Sequence, residues 1–289
     1  MRKLLIIALL WLSSVNIYSD YSINQPTELI NINGVSIAYT TAGKEENPAV
    51  LMIMGLMASH KVWGEEIVNA LVDSGYRVIL FDNRDTGKSE NLDRLGKPNL
   101  YWKFAMSYLG VDFSSPYTLS DMALDGIGLL DHLGIEKAHV VGASMGGMIA
   151  QSIAFEHPDR AKSLVSIMST TGAPHLSQMS ERNEQNFRGA GEWDKKAAHA
   201  YGFYPEAMPR QLTAIFKSGD RSEQVRSIKV PTLVQHGIDD TLLPPDHGEH
   251  TADLIRDSKL RIYENMGHNL PPEVLPLVIE DMVNFFKEN

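Results

Sequence analysis

The sequence predicts an α/β chain: a mostly parallel central sheet with helices on both faces and an antiparallel hairpin at its N-terminal edge. Three observations carry this. Short apolar runs bounded by Gly, Pro or Asp alternate with longer helix-like segments along nearly the whole chain, the order that builds parallel sheets. Some runs, such as residues 49–54, are apolar throughout, as expected of strands covered on both faces. Asn33-Gly34 separates two strand-like segments, residues 29–32 and 35–41, and that dipeptide closes tight hairpins.

The predicted elements then follow in order. Residues 62–73 read as a helix stopped at Gly75, and 77–81 as a second buried strand. Thr118-Leu119-Ser120-Asp121 offers a capping box ahead of a helix over 122–133, which ends at Gly134. A strand over 138–141 leads to a small-residue-rich helix over 145–155, closed by His157-Pro158. Further strands are predicted at 164–168, 232–235 and 260–263, with an amphipathic closing helix over 273–286. Between about 172 and 228 the rhythm breaks. That stretch holds Met, aromatic and charged residues with Gly and Pro interruptions, and is expected to form a cap that shields a site and shapes its pocket.

Composition narrows the function. Of 289 residues, 43% are hydrophobic and 21% charged, which excludes wholesale disorder. The net charge is −10, from 26 basic and 36 acidic residues. With no basic stripe, nucleic acid is excluded as a partner. The absence of cysteine removes disulfides, thiolate metal sites and cysteine nucleophiles. At the N-terminus, Arg2-Lys3 precede nine apolar residues, 4–12, and then small and polar ones. This is the layout of a secretory signal, expected to be cut after Ser19 and to deliver one domain, residues 20–289, to the periplasm or the exterior. The run is too short for a stable membrane span, which needs about 20 residues.

The sharpest local signal is Gly142-Ala143-Ser144-Met145-Gly146, placed after a predicted strand and before a predicted helix. That context defines a nucleophile elbow, with glycines where the turn tolerates no side chain. The helix N-terminus behind Ser144 favours developing negative charge. A serine nucleophile needs a base and an orienting acid, here in the chain order Ser, Asp or Glu, His. His268 follows the final strand and is the expected base; the acid is one of two neighbours, Asp239 and Asp240, in the loop after the preceding strand. The Met145 N–H supplies one oxyanion donor, and the loop Met54-Gly55-Leu56-Met57 the other.

These residues, together with Asp82-Asn83-Arg84-Asp85-Thr86-Gly87-Lys88-Ser89, Pro116 to Met122, Pro231-Thr232-Leu233-Val234 and Gly267-His268, resemble the α/β-hydrolase superfamily, and most closely its aclacinomycin methylesterase-like branch. The resemblance spans almost the whole chain after residue 20. It implies an α/β-hydrolase fold, and it implies Asp240 as the acid, because relatives carry that residue four positions before a proline, here Pro244. It also implies the Leu56 N–H as second oxyanion donor. Met54 stands where relatives commonly have His; with Met57 and Met266 it is expected to give the site an apolar, adaptable lining. The Asp82 to Ser89 stretch reads as a turn that braces the sheet.

No cofactor is expected. His247-Gly248-Glu249-His250 has metal-like spacing but no visible third ligand, and reads as a solvated helix. Gly142-x-x-x-Gly146 lacks the Lys-Ser/Thr ending of a phosphate loop. The expectation is a serine hydrolase acting on a small carboxylic ester through an acyl-enzyme. The same residues would also serve perhydrolysis, lactone opening, amide cleavage or C–C bond hydrolysis. A hydrolase fold kept only for binding would have no use for the complete Ser, Asp and His set.

Overall fold

A computed structural model describes residues 21–189 and 194–289; the expected signal over residues 1–19 lies outside them. One sheet of eight strands organises the chain: β1 (Glu28–Ile32), β2 (Val35–Ala42), β3 (Ala49–Ile53), β4 (Arg77–Phe81), β5 (Ala138–Ala143), β6 (Ala161–Ile167), β7 (Thr232–Gly237) and β8 (Lys259–Tyr263). Their order across the sheet is β1-β2-β4-β3-β5-β6-β7-β8. β2 runs antiparallel to both β1 and β4, and every other pairing is parallel. Asn33 and Gly34 take φ values of 53° and 77°, the pair of positive angles that a tight hairpin turn requires, and Ile32 pairs with Val35 across it.

The sheet separates two apolar layers, and the period-2 alternation of the strands distributes side chains between them. Leu51, Ile53, Ile79 and Phe81 face one layer; Val50, Met52, Val78 and Leu80 face the other. The first is covered by α3 (Leu119–His132) and α4 (Met145–Glu156), the second by α1 (Glu65–Asp73) and α10 (Leu275–Glu288). The Thr118 hydroxyl accepts from Asp121 N–H while the Asp121 carboxylate accepts from Thr118 N–H, so the capping box opens α3 as expected.

Several elements differ from the sequence reading. The helix expected over 62–73 is split by Gly64, at φ 77°, into a 3-10 turn (His60–Trp63) and α1. β5 extends beyond its predicted span to the residue before Ser144, β7 extends to Gly237, and β6 starts at Ala161 and ends at Ile167. A helix that the pattern did not show, α2 (Leu100–Tyr108), lies between β4 and α3. It buries none of its residues and leaves Tyr101, Trp102, Phe104 and Tyr108 exposed, so it has no apolar stripe facing the core from which to be read.

Between β6 and β7 come α5 (Glu181–Gly189), α6 (Lys195–Ala200), α7 (Met208–Ser218) and α8 (Ser222–Arg226), with no strand among the described residues. α7 packs against α2, where Phe104 and Phe216 meet edge to face. α9 (Asp246–Leu254) follows β7. The expectation of a solvated helix here needs correction, because α9 buries His247, Gly248, Thr251, Ala252 and Leu254. The His247 ring reaches Thr170 Oγ1 at 2.7 Å and Ser177 O at 2.8 Å. Among the described residues no three His, Asp or Glu side chains are grouped to hold a metal, and no helix is long and apolar enough to cross a membrane.

One core group makes stability depend on pH. His139 on β5 is buried between the Tyr76 and Phe286 rings and bonds Ser163 Oγ at 2.8 Å. Burial, aided by the charge of Lys162, pushes it from 6.5 down to about 4. Between those values the unfolded chain binds the extra proton, so stability is full above about pH 6.5 and falls as the pH drops toward 4. The shift corresponds to about 3 kcal/mol. Stability from urea unfolding should be lower at pH 5 than at pH 7.5 by about 2 kcal/mol, and His139→Phe should flatten the slope; an unchanged slope in the variant would assign the effect elsewhere.

Candidate active site

The site forms where β3, β5, β7 and β8 release the chain at their carboxyl ends, the edge where α/β sheets gather ligands. β5 passes through Gly142 and Ala143 into a turn at Ser144, and α4 begins at the next residue. Ser144 has φ 57° and ψ −122°, a strained backbone that the surroundings must enforce. The glycines on either side explain how. A Cβ at Gly142 would lie 2.1 Å from Gly146 O, and one at Gly146 would lie 2.0 Å from Ile53 O. No side chain fits either position.

Ser144 Oγ is 2.9 Å from His268 Nε2, and His268 Nδ1 is 2.7 Å from Asp240 Oδ2. The carboxylate beside Nδ1 assigns the ring proton there, which leaves Nε2 as an acceptor for the Ser144 hydroxyl. Asp240 is buried, and burial alone would raise its pKa; hydrogen bonds from His236 and His268, with Leu243 N–H, outweigh that and hold it well below the usual carboxylate range. Its other oxygen, Oδ1, accepts from Leu242 N–H and Leu243 N–H, both at 2.9 Å. The charged acid is therefore fixed in place on both oxygens.

Asp239, the rival acid, is exposed. Its backbone N–H donates to Met266 O at 3.0 Å, so it helps hold the loop that carries His268. The two adjacent carboxylates thus point to different surroundings, and only Asp240 meets the imidazole.

Gly55 brings the loop after β3 against Ser144: a Cβ there would lie 3.0 Å from Ser144 Cβ. Among the described residues neither Leu56 N–H nor Met145 N–H has a protein acceptor. Met145 N–H belongs to the orphaned first turn of α4. Of the three methionines expected to line the site, Met57 packs with Met208 in a small apolar cluster bordered by Leu56, Leu100 and Leu212. Met54 and Met266 lie in the larger core layer with α1 and α10, and Met266 is fully buried there.

The Asp82 to Ser89 stretch braces the site as expected. Asp82 accepts from the His60 ring at 2.6 Å, from His60 N–H and from Lys88 N–H, and Asn83 Nδ2 donates to Met54 O. Sequence reasoning passed over His236. It is fully buried one turn before Asp240, with Nε2 donating to Leu243 O at 2.8 Å and lying 3.5 Å from Asp240 Oδ2. The i, i+4 spacing to Asp240 was available as a signal, but nothing in the pattern said that the ring turns inward.

A serine raised on a strained strand-to-helix turn, an imidazole from the loop after the last strand and a carboxylate after the strand before it define an α/β hydrolase. The chain belongs to that family: the family model for the alpha/beta hydrolase fold matches residues 48–198, and that of the prolyl oligopeptidase family matches residues 130–289. Rhodomycin D methylesterase of Streptomyces peucetius is 26% identical over 295 aligned residues, covering 85% of this chain and 93% of that protein. The 2-hydroxy-6-oxo-6-phenylhexa-2,4-dienoate hydrolase of Comamonas testosteroni is 29% identical over 80% of this chain and 84% of its own. The crystal structure of the enol-lactonase from Burkholderia xenovorans superposes with a TM-score of 0.70 at 20% identity, over 90% of this chain and all of that one. The two relatives share hydrolysis in their names and differ in substrate.

Proposed function

We propose that this protein is a serine hydrolase that cleaves small carboxylic esters through an acyl-enzyme. The observation that carries the reading is the unbroken hydrogen-bonded chain from Ser144 through His268 to Asp240. His268 Nε2 takes the proton of Ser144 as its Oγ attacks the ester carbonyl. The oxyanion is received by the N–H groups of Leu56 and Met145. His268 then returns the proton to the departing alcohol, and water, activated by the same ring, releases the acid and restores Ser144. Asp240 keeps the imidazole in the tautomer that can accept and stabilises the imidazolium. The cluster of Leu56, Met57 and Met208 beside the oxyanion loop favours an apolar acyl or alcohol group.

A fluorophosphonate probe should label Ser144, and p-nitrophenyl esters of rising chain length should be turned over faster than lactones or amides. A protein that resists labelling would be a binding module; one that prefers amides or lactones would keep the nucleophile and lose the ester assignment. From Arg2-Lys3 and the apolar run 4–12 we also propose that the protein is exported on residues 1–19 to the periplasm or the exterior. Intact-mass measurement on protein from its native host should give a chain beginning at Asp20; a cytosolic product retaining residues 4–12 would overturn that part alone.

A further inference from the structure

We propose that the cap helix α7 assembles the oxyanion site, with Gln211 as its positioning residue. The inference rests on the ester-hydrolase reading of Ser144 and Leu56 and goes beyond it, since it makes the cap a part of the chemical step as well as a cover. Gln211 is fully buried, and both ends of its amide are used. Oε1 accepts from Met57 N–H at 2.7 Å, and Nε2 donates to Arg84 O at 3.2 Å. Met57 immediately follows the expected donor Leu56 and has φ 62°, a left-handed conformation unfavourable for a residue with a side chain.

Within the loop, Ala58 N–H donates to Gly55 O at 3.2 Å and closes a turn around Leu56 and Met57, and the cap holds that turn from its other side. Met57 O accepts from Tyr204 N–H at 2.7 Å, Ala58 pairs with Phe203 in an antiparallel bridge, and Ser59 N–H donates to Gly202 O at 2.8 Å. The helix that carries Gln211 is itself clamped. Arg210, fully buried, grips Asp85 with Nε on Oδ2 at 2.8 Å and Nη2 on Oδ1 at 2.9 Å, a bidentate fork. Tyr117 Oη donates to the same carboxylate at 2.6 Å. Arg210 and Gln211 therefore set the height of α7 over the loop and engage its Met57 amide, leaving the adjoining Leu56 amide for the substrate. Without the Gln211 oxygen, the Met57 N–H would be buried with no acceptor, a condition a loop escapes by rotating its peptide planes.

Gln211→Met, which keeps the volume and removes both the acceptor for Met57 N–H and the donor to Arg84 O, should lower kcat by about 10- to 100-fold, less than outright loss of an oxyanion donor, with KM changed by under about threefold. Turnover is counted per fluorophosphonate-titrated Ser144, so molecules that fail to fold do not enter the rate. Affinity for a boronic-acid analogue should fall in step with kcat/KM, and the pH dependence should keep its wild-type shape because the Ser144–His268–Asp240 chain is untouched. Gln211→Glu retains an oxygen for Met57 N–H but sets its second oxygen against Arg84 O, and should recover part of the loss. Unchanged kcat per labelled site in Gln211→Met, a shifted pH limb, or no recovery in Gln211→Glu would overturn the inference. Failure of the unaltered protein to label at all would instead overturn the reading on which it rests.

Discussion

Ser144→Ala is expected to lower ester turnover by on the order of 10⁴ to 10⁶. No other described hydroxyl lies within hydrogen-bond reach of His268 Nε2, so the proposed mechanism leaves no group to form the acyl-enzyme once Oγ is gone. The fold should survive, because the strain at Ser144 is imposed by the packing of Gly142 against Gly146, of Gly146 against Ile53, and by the start of α4, none of which needs the hydroxyl. Rates on p-nitrophenyl esters, with circular dichroism on the same sample, check this. Retention of more than a tenth of the activity would remove Ser144 from its role.

Asp240→Asn should cut kcat by roughly 10⁴, by leaving His268 in the wrong tautomer, a size taken from serine proteases with the same arrangement. Asn can still accept from Leu242 and Leu243 N–H, so the loop should keep its shape. Asp239→Asn should cost under about tenfold, because that side chain is exposed and only its backbone joins the neighbouring loop. The two variants differ by one position and should differ by about a thousandfold. Equal or reversed losses would mean that the carboxylate near His268 is not the one that orients it.

Much of this architecture was legible because it is written in local rules. The Asn33-Gly34 turn, the Thr118–Asp121 capping box and the strand–Ser144–helix turn each depend on residues within a few positions of one another, and each is present. Alternation along β3 and β4 likewise sent neighbouring side chains into opposite layers. α2 escaped because helix periodicity reports burial, and this helix buries nothing. The split at Gly64 escaped because a positive-φ glycine between Trp63 and Glu65 leaves the spacing of the apolar residues on either side intact.

The site divides along the same line. The sequence by itself determined the sheet, the elbow around Ser144 and the order in which a base and an acid must follow, because periodicity, glycine sterics and strand endings are short-range. The local pattern left Asp239 and Asp240 open and the family resemblance favoured Asp240; only the tertiary structure showed which of them reaches His268, that His236 turns inward beside the acid, and that Gln211 engages the Met57 amide across 154 residues of chain. Those contacts depend on loops from separate strands meeting at ångström precision. A one-residue rotation within a loop exchanges a buried carboxylate for an exposed one, and that rotation is set by packing and by hydrogen bonds to distant partners that no local pattern contains.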